Sequence, residues 1–402
     1  MDVLVINCGS SSLKFSVLNT GSGQERARGI FARLGGERPD FEIRRPDATD
    51  PVEQAVLPAG YAHREALDRL AGWLAEPAQH DLAIAAVGHR VVHGGEHFTK
   101  ATRVDDDTLA AIEACCPLAP LHNPSNLLGI RRTRDHFPNL PQVAVFDTAF
   151  HQTMPAEAYL YALPMSWYRE HGIRRYGFHG SSHKFVVGEA AALLGRPLEE
   201  TNLITLHLGN GCSAAAVAGG QVVDTSMGLT PLEGLVMGTR SGDVDPGIVL
   251  HLQRSLGLSV AEVDDTLNQR SGLLGLSELS NDMRELRRAA GGGHDGARQA
   301  IDVFGYRLAK SVSALRAALT GLDAIVFTGG IGENDAETRT ETAGRLRHLG
   351  LELNENANAA AVRGARAVIS SPDSPVRVLV IPTNEELMIA RETDQVLSAD
   401  VR

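Results

Sequence analysis

The segment Val3-Leu4-Val5-Ile6-Asn7-Cys8-Gly9-Ser10-Ser11-Ser12-Leu13-Lys14-Phe15 sets a buried-type apolar run against a hydroxyl-rich turn. Such a turn can aim backbone N–H groups, serine hydroxyls (Ser10 and Ser12 among them) and the Lys14 ammonium at an anion. A related pattern returns over residues 203–213, where Leu206 leads into His207-Leu208-Gly209-Asn210-Gly211. Placing Gly9 on Gly209 pairs Asn7 with His207, Ser10 with Asn210 and Val17 with Val217. Two strand–polar turn–strand units, one in each half, predict a two-lobed protein that grips one phosphate chain from both sides.

A third Gly-rich turn, Thr328-Gly329-Gly330-Ile331-Gly332-Glu333-Asn334, follows the apolar residues 324–327. Backbone geometry alone explains any one such turn; three, two of them related by an internal repeat, point to phosphate. The chain has no G-x-x-x-x-G-K-[ST], and Gly330-x-Gly332 lacks the remaining glycine of the dinucleotide fingerprint, which disfavours P-loop and Rossmann sites. Arg90 and Arg240 stand in Gly-containing loops, where a guanidinium offers a planar fork of donors to a carboxylate or a transferring phosphoryl group. A surface ion pair is the competing explanation for either arginine alone. His179 precedes Gly180-Ser181-Ser182-His183, in which Ser181 or Ser182 is expected to cap a helix running to Leu194. A histidine just before a helix N-terminus can donate to a phosphoryl oxygen, whereas His183 reads as a first-turn packing residue. Asp147 closes an expected strand at 142–146, where carboxylates serve ligands in α/β sheets or cap a turn. Thr383-Asn384-Glu385-Glu386 fits a capping box with Thr383 as N-cap and Glu386 reaching back. Glu385 is then left for a magnesium ion or for the helix dipole.

These residues need a scaffold, and a length of 402 residues argues for two domains. Strands are expected at residues 3–7, 13–18, 83–87, 142–146 and 324–327, with helices at 64–74 and 105–116. This alternation predicts an α/β fold. The periodic Ile301, Phe304, Leu308, Val312, Leu315 and Leu319 mark a helix over 297–319, stopped by Gly321. Gly291-Gly292-Gly293 reads as a surface loop, and residues 33–58 as hairpins and loops. A formal net charge of −11 with no basic block argues against nucleic acid, so local cations must hold any anionic substrate. Four cysteines without C-x-x-C spacing argue against a zinc site or a disulfide framework. No apolar stretch is long enough to span a bilayer, and the first residues read as a strand rather than a signal peptide. The protein is therefore expected to be cytoplasmic, away from membranes.

Read together, the motifs resemble the acetate kinase family. The anchors are residues 7–15, 88–96, 120–124, 146–155, 174–183, 207–211, 224–242, 327–334 and 381–386, so the resemblance covers nearly the whole chain. Residues 35–60 and 285–296 match poorly, and Ser181 stands where many relatives have threonine. The resemblance implies an α/β, two-lobed, actin-like (ribonuclease H-like) duplicated fold with nucleotide in the cleft between the lobes. It implies a first lobe of residues 1–150 joined by a C-terminal helix at 384–402, and a second lobe of residues 151–383 that binds nucleotide and forms a homodimer. The implied reaction is reversible phosphoryl transfer from ATP to acetate, giving acetyl phosphate and ADP, with Mg2+, or Mn2+ in its place. Carried over by position, Asn7 and Glu385 would place the metal, while Ser10, Ser12 and Lys14 would line the phosphate site. Arg90 would hold the acetate carboxylate, and Val92, Leu121, Phe178 and Pro231 would form an apolar pocket for its methyl. Asp147 would be an essential acidic residue, with His179 and Arg240 as transition-state stabilisers. The nucleotide would meet His207, Leu208, Gly209, Asn210 and Gly211, then Asp282, Met283 and Arg284, then Gly330, Ile331, Gly332, Glu333 and Asn334.

The expected chemistry is direct in-line transfer. A carboxylate is already nucleophilic at neutral pH, so no general base is needed; cations must instead offset the repulsion between two anions. A propionate or butyrate kinase is the nearest alternative, because one methylene changes binding in an apolar pocket by only about 1–3 kcal/mol. A non-metabolic ATPase module and a pyrophosphate-dependent enzyme are more distant ones.

Overall fold

The computed structural model describes residues 1–46, 48–79 and 81–399. The chain divides into two compact units, Met1–Phe150 together with the segment from Asn384 onward, and His151–Thr383.

In the first unit, strands β1 (Asp2–Cys8), β2 (Leu13–Asn19), β3 (Glu25–Ala32), β4 (Asp40–Arg44), β5 (Glu53–Val56), β6 (Ile84–Val91), β7 (Thr102–Arg103) and β8 (Gln142–Phe146) form one sheet. Their order is β5-β4-β3-β2-β1-β6-β8-β7. Strands β1 to β5 form an antiparallel meander, whereas β6 runs parallel to both β1 and β8. Val3, Leu4, Val5 and Ile6 are all buried, which is why β1 reads as an unbroken apolar run rather than an alternating one. The helices Asn123–His136 and Glu385–Ala399 both pack against β1 and β6. The second of these lies close to β6 because residue 88 is glycine. A Cβ there would come within 2.5 Å of Thr393 Oγ1 and 3.0 Å of Ile389 Cγ2. Residues 400–402 of the expected C-terminal helix lie outside the described residues.

The second unit carries β9 (Asn202–Leu208), β10 (Cys212–Ala218), β11 (Gln221–Thr225), β12 (Ala324–Thr328), β13 (Ala367–Val368) and β14 (Arg377–Val380), ordered β11-β10-β9-β12-β14-β13. The succession β11-β10-β9-β12-β14 repeats β3-β2-β1-β6-β8, with the same antiparallel meander and the same two parallel pairings. The fold is thus the duplicated actin-like α/β type. The helix Asp295–Arg316 buries Ile301, Phe304, Leu308, Val312 and Leu315, the face its periodicity predicts.

The structure corrects the repeat by one residue. Cys8 faces Leu13 across the first hairpin, whereas Leu208 faces Cys212 across the second, so the second turn is one residue shorter. Val17, opposite Leu4, therefore corresponds to Ala216, opposite Ile204, and not to Val217. Lys14, opposite Asn7, corresponds to Ser213, opposite His207. The 291–293 stretch is also only partly loop: Gly291 ends the helix Met283–Gly291 and Gly292 is its C-cap. The long helix stops at Arg316, and short turn bonds carry the chain on through Leu319. Among the described residues no helix is long and apolar enough to cross a membrane.

Candidate active site

In the first unit, the parallel register of β6 and β8 sets Arg90 opposite Val145, and Asp147 follows directly after β8. Their side chains meet as a fork. Arg90 Nε donates to Asp147 Oδ1 at 3.0 Å and Nη2 to Oδ2 at 2.7 Å, while Nη1 reaches Asn7 Oδ1 at 3.5 Å. Burial disfavours the Arg90 cation, but Asp147, with Glu385 and Glu386 beyond it, outweighs that penalty and holds the guanidinium above its usual range. Glu385 opens its helix beside this pair. Desolvation, reinforced by Asp147 and Glu386, pushes its carboxyl up to about 7 against the pull of Arg90 and Lys14. The cap of this helix differs from expectation. Asn384 Oδ1 accepts from Leu387 N at 2.9 Å, whereas the Thr383 hydroxyl is engaged with Ser182 at 2.8 Å. The asparagine side chain reaches the third helical N–H itself, so Glu386 is not needed to complete a box.

Ser10 and Lys14 are exposed and Ser12 is half-buried around a turn closed by Gly9 N donating to Ser12 O at 2.8 Å. Val92 is buried, but Leu121 is 58% exposed just before the helix Asn123–His136. Two asparagines of that helix hold the chain beyond Arg90. Asn126 accepts from Val92 N at 3.0 Å and donates to Cys8 O at 2.7 Å; Asn123 accepts from His93 N at 3.1 Å and donates to His93 O at 2.9 Å. Neither was singled out from the sequence, where the only signal was their three-residue spacing after a proline-flanked turn.

In the second unit, His179 is itself the N-cap of the helix Gly180–Leu194, in the left-handed region with φ 57°. Neither Ser181 nor Ser182 caps the helix, because both lie inside its first turn. A non-glycine residue in this conformation costs on the order of 1–3 kcal/mol and persists where its surroundings fix it. The His179 ring stacks on His207 with centroids 4.3 Å apart, and its Nδ1 lies 2.9 Å from Ser213 Oγ. His207 Nδ1 in turn lies 2.7 Å from the Ser182 hydroxyl. Arg240 Nη1 donates to Pro231 O at 2.9 Å, and among the described residues no carboxylate pairs with this guanidinium. Burial accordingly pulls Arg240 below its usual range. The imidazole and the guanidinium face one small space. A Cβ built on Gly211 would lie 3.4 Å from His179 Nε2 and 3.5 Å from Arg240 Nη1, so glycine keeps that space open. The loop bearing Pro231 is braced by Glu233, which accepts from Arg175 Nη2 at 2.6 Å and from the Tyr161 hydroxyl. Phe178 is buried and Pro231 half-buried.

The same unit holds a cavity of about 670 Å³ lined by Gly209, Asn210, Asp282, Met283, Arg284, Gly330, Ile331 and Asn334. Three segments far apart in the chain thus meet around a space of the size small ligands occupy. Asp282 caps the helix Met283–Gly291 through Arg284 N at 2.8 Å, and Arg284 holds its carboxyl down at about 2. Not every expected residue lines the cavity. Leu208 is wholly buried in the sheet. Gly332 O accepts from the buried Arg339 at 2.9 Å, and Glu333 accepts from Gly329 N at 2.9 Å and Thr383 N at 3.1 Å. Glu333 is therefore a brace for the turn. Asn281, Arg287, Asp335 and Glu337 also line the cavity. Asn281 ties it together by donating to Asn210 Oδ1 at 3.0 Å. These residues come from two helices and the turns before them, and only the tertiary arrangement brings them together.

Comparisons with known proteins identify the family and the fold. The family model described as the acetokinase family matches residues 2–391. A curated acetate kinase of Deinococcus radiodurans is 56% identical over 393 residues, covering 98% of this chain and 97% of the relative. One of Chromobacterium violaceum is 51% identical, covering 97% of each. Among solved structures, a propionate kinase from Francisella tularensis superposes with a TM-score of 0.92 at 44% identity, covering 98% of this chain and 99% of the other. The acetate kinase of Porphyromonas gingivalis gives a TM-score of 0.91 at 42% identity with the same coverage.

Proposed function

This chain belongs to the acetokinase family, and we propose that it transfers the γ-phosphoryl group of ATP reversibly to acetate, giving acetyl phosphate and ADP by direct in-line displacement. The observation that carries the mechanism is Arg240: a half-buried guanidinium, held by a carbonyl and, among the described residues, lacking an acid partner, beside His179 over the open Gly211. Such a cation gains most when charge spreads over the equatorial oxygens of a transferring phosphoryl group. His179 Nε2 donates to the same oxygens. The nucleotide occupies the cavity between Asn210, Arg284 and Ile331. Arg90 binds the acetate carboxylate through donor positions that Asp147 leaves over, and Asp147 orients that guanidinium rather than accepting a substrate proton.

Asn7 and Glu385 fit a magnesium ion, with manganese as a substitute. They present an amide oxygen and a carboxyl that burial, with Asp147 and Glu386 nearby, holds up to about 7, a penalty on its charge that a divalent cation would relieve. One carboxylate with one neutral oxygen suits an ion that keeps several waters and takes its other ligands from phosphates. When bound, the ion would neutralise charge on the nucleotide phosphates.

Formation of hydroxamate from ATP, acetate and hydroxylamine tests the reaction; ATP hydrolysis without acyl phosphate would overturn it. Acetate is favoured as acceptor because the curated relatives above 50% identity are named acetate kinases. The solved propionate kinase marks the competing acceptor, and kcat/KM for acetate, propionate and butyrate ranks them. A homodimer is part of the proposal. The helix Pro246–Leu256 of the second unit has no buried residue yet carries Ile248 and Leu250, both more than a third exposed. An apolar face of this kind is covered most economically by a second copy. Light scattering should give twice the chain mass, and Ile248→Glu should halve it. The four free cysteines suit a reducing, cytoplasmic setting.

A further inference from the structure

Behind His179 runs a line of hydrogen bonds that ends inside the second unit. His179 Nδ1 lies 2.9 Å from Ser213 Oγ, the same hydroxyl lies 2.8 Å from His183 Nε2, and His183 Nδ1 lies 2.7 Å from Thr205 Oγ1. Ser213, His183 and Thr205 are wholly buried, so each polar hydrogen among them needs an acceptor. Burial, together with the nearby rings of His151 and His207, holds His183 well below its ordinary range, and the ring is neutral. One of its nitrogens therefore donates and the other accepts.

Three proton arrangements connect these atoms. In one, Ser213 accepts from both rings and its own hydrogen is stranded, since among the described residues its hydroxyl meets only these two nitrogens. In another, His179 donates from Nδ1 to Ser213, Ser213 donates to His183 Nε2 and His183 Nδ1 donates to Thr205. The Thr205 hydroxyl hydrogen is then stranded, since among the described residues no second acceptor is within its reach. In the opposite sense every hydrogen is used. Thr205 donates to His183 Nδ1, His183 Nε2–H donates to Ser213, and Ser213 donates to His179 Nδ1. A buried hydroxyl without an acceptor costs about 1–3 kcal/mol, enough to decide the direction.

We propose that Ser213 and His183 are positioning residues that fix His179 as the tautomer protonated on Nε2, so that the nitrogen facing the space over Gly211 and Arg240 is always the donor. The left-handed backbone of His179 and its stack on His207 set the ring plane, while the chain of hydroxyl and imidazole sets which edge carries the hydrogen. Sequence spacing does not show this, because residues 179, 183, 205 and 213 lie on one helix and two strands. The proposal rests on His179 as donor to the transferring phosphoryl group, and the tests separate the two ideas.

The primary test is the nitrogen spectrum of the full-length protein labelled with 15N-histidine, with His179→Gln assigning the signal. His179 should be protonated at Nε2 and bare at Nδ1; a hydrogen on Nδ1 overturns the proposal, and the reading is made on the wild-type protein once the signal is assigned. Ser213→Ala should release the tautomer and lower kcat by about tenfold or more while leaving the nucleotide KM within about twofold. Ser213→Thr, which keeps the hydroxyl, should restore most of the rate. An unaltered kcat in Ser213→Ala overturns the proposal. A wild-type rate in His179→Ala would instead remove the reading of His179 on which it rests, whatever the tautomer.

Discussion

The two units are copies of one sheet, yet their equivalent positions have opposite electrostatic character. Asn7 and Lys14 face each other at the end of the first hairpin; His207 and Ser213 do so in the second. His207 pairs with Thr328 of β12, and continuing the Ile6–His89 pairing by one residue puts Arg90 at the corresponding place. Asp147 and Thr383 each stand three residues beyond equivalent strand positions, Ala144 and Val380. The first unit thus sets charge against charge, and the second sets imidazole against hydroxyl. The arginines differ in the same way. Arg90 is neutralised by a carboxylate of its own unit, whereas Arg240, among the described residues, meets the Pro231 carbonyl and the Met237 thioether but no carboxylate. A paired cation positions; an unpaired one is free to respond to charge that develops during reaction. One duplicated scaffold can therefore supply both roles without any change of backbone plan.

This contrast can be broken most forcefully at Arg90. Arg90→Ala leaves the Asp147 carboxylate buried without its partner and should lower unfolding stability by about 3–5 kcal/mol, measured by denaturant titration. Asp147→Asn on that background should recover much of the loss, the coupling expected of a contact pair. Equal stability of Arg90→Ala and wild type would mean that the pair is not structural. Arg240→Ala should behave in the reverse way. Its kcat should fall by about a hundred- to a thousandfold, near 3–4 kcal/mol in barrier, with stability unchanged or slightly higher because a half-buried charge without a carboxylate partner is gone. A clear loss of stability there would erase the distinction between the two arginines.

Gly211→Ala sharpens the comparison on the second unit's side. Its Cβ enters the space between His179 Nε2 and Arg240 Nη1, and turnover should drop by about tenfold or more through displaced groups, with little change in stability. The smallest effect is one of pH. Burial pushes His89, in β6 of the first unit, down to about 4 although Gln142 pulls the other way. Between about 6.5 and 4 the unfolded chain binds this proton and the folded one does not. The contribution is thus complete above about pH 6.5 and is lost as pH falls towards 4, at most about 3 kcal/mol. His89→Asn should flatten the slope of stability over that interval, and an unchanged slope would assign it to other groups.

Much of this was legible in the chain because it is local. The unbroken run before Asn7, the strand at 142–146 and the apolar period from Ile301 to Leu315 each report their own element, since burial of a face fixes residue type at that face's spacing. The glycines around Arg90 and Arg240 and the order of the motif blocks pointed to phosphoryl chemistry for a similar reason: residue type and neighbours carry it. What failed depended on residues far apart in sequence. The cap moved from Thr383 to Asn384 because the Thr383 hydroxyl meets Ser182, about two hundred positions earlier.

Composition and pattern therefore determined the α/β class, the duplication and the identity of the cationic and imidazole groups. Tertiary structure alone decided that the second hairpin turn is one residue shorter, that Arg90 is satisfied by Asp147 while Arg240 is not, and that Ser213 joins His179 to His183. The physical reason is directional. Hydrophobic burial is a sum over local surface that a sequence displays, whereas hydrogen bonds and ion pairs require particular atoms within about 3 Å of each other, a condition only the assembled chain can meet.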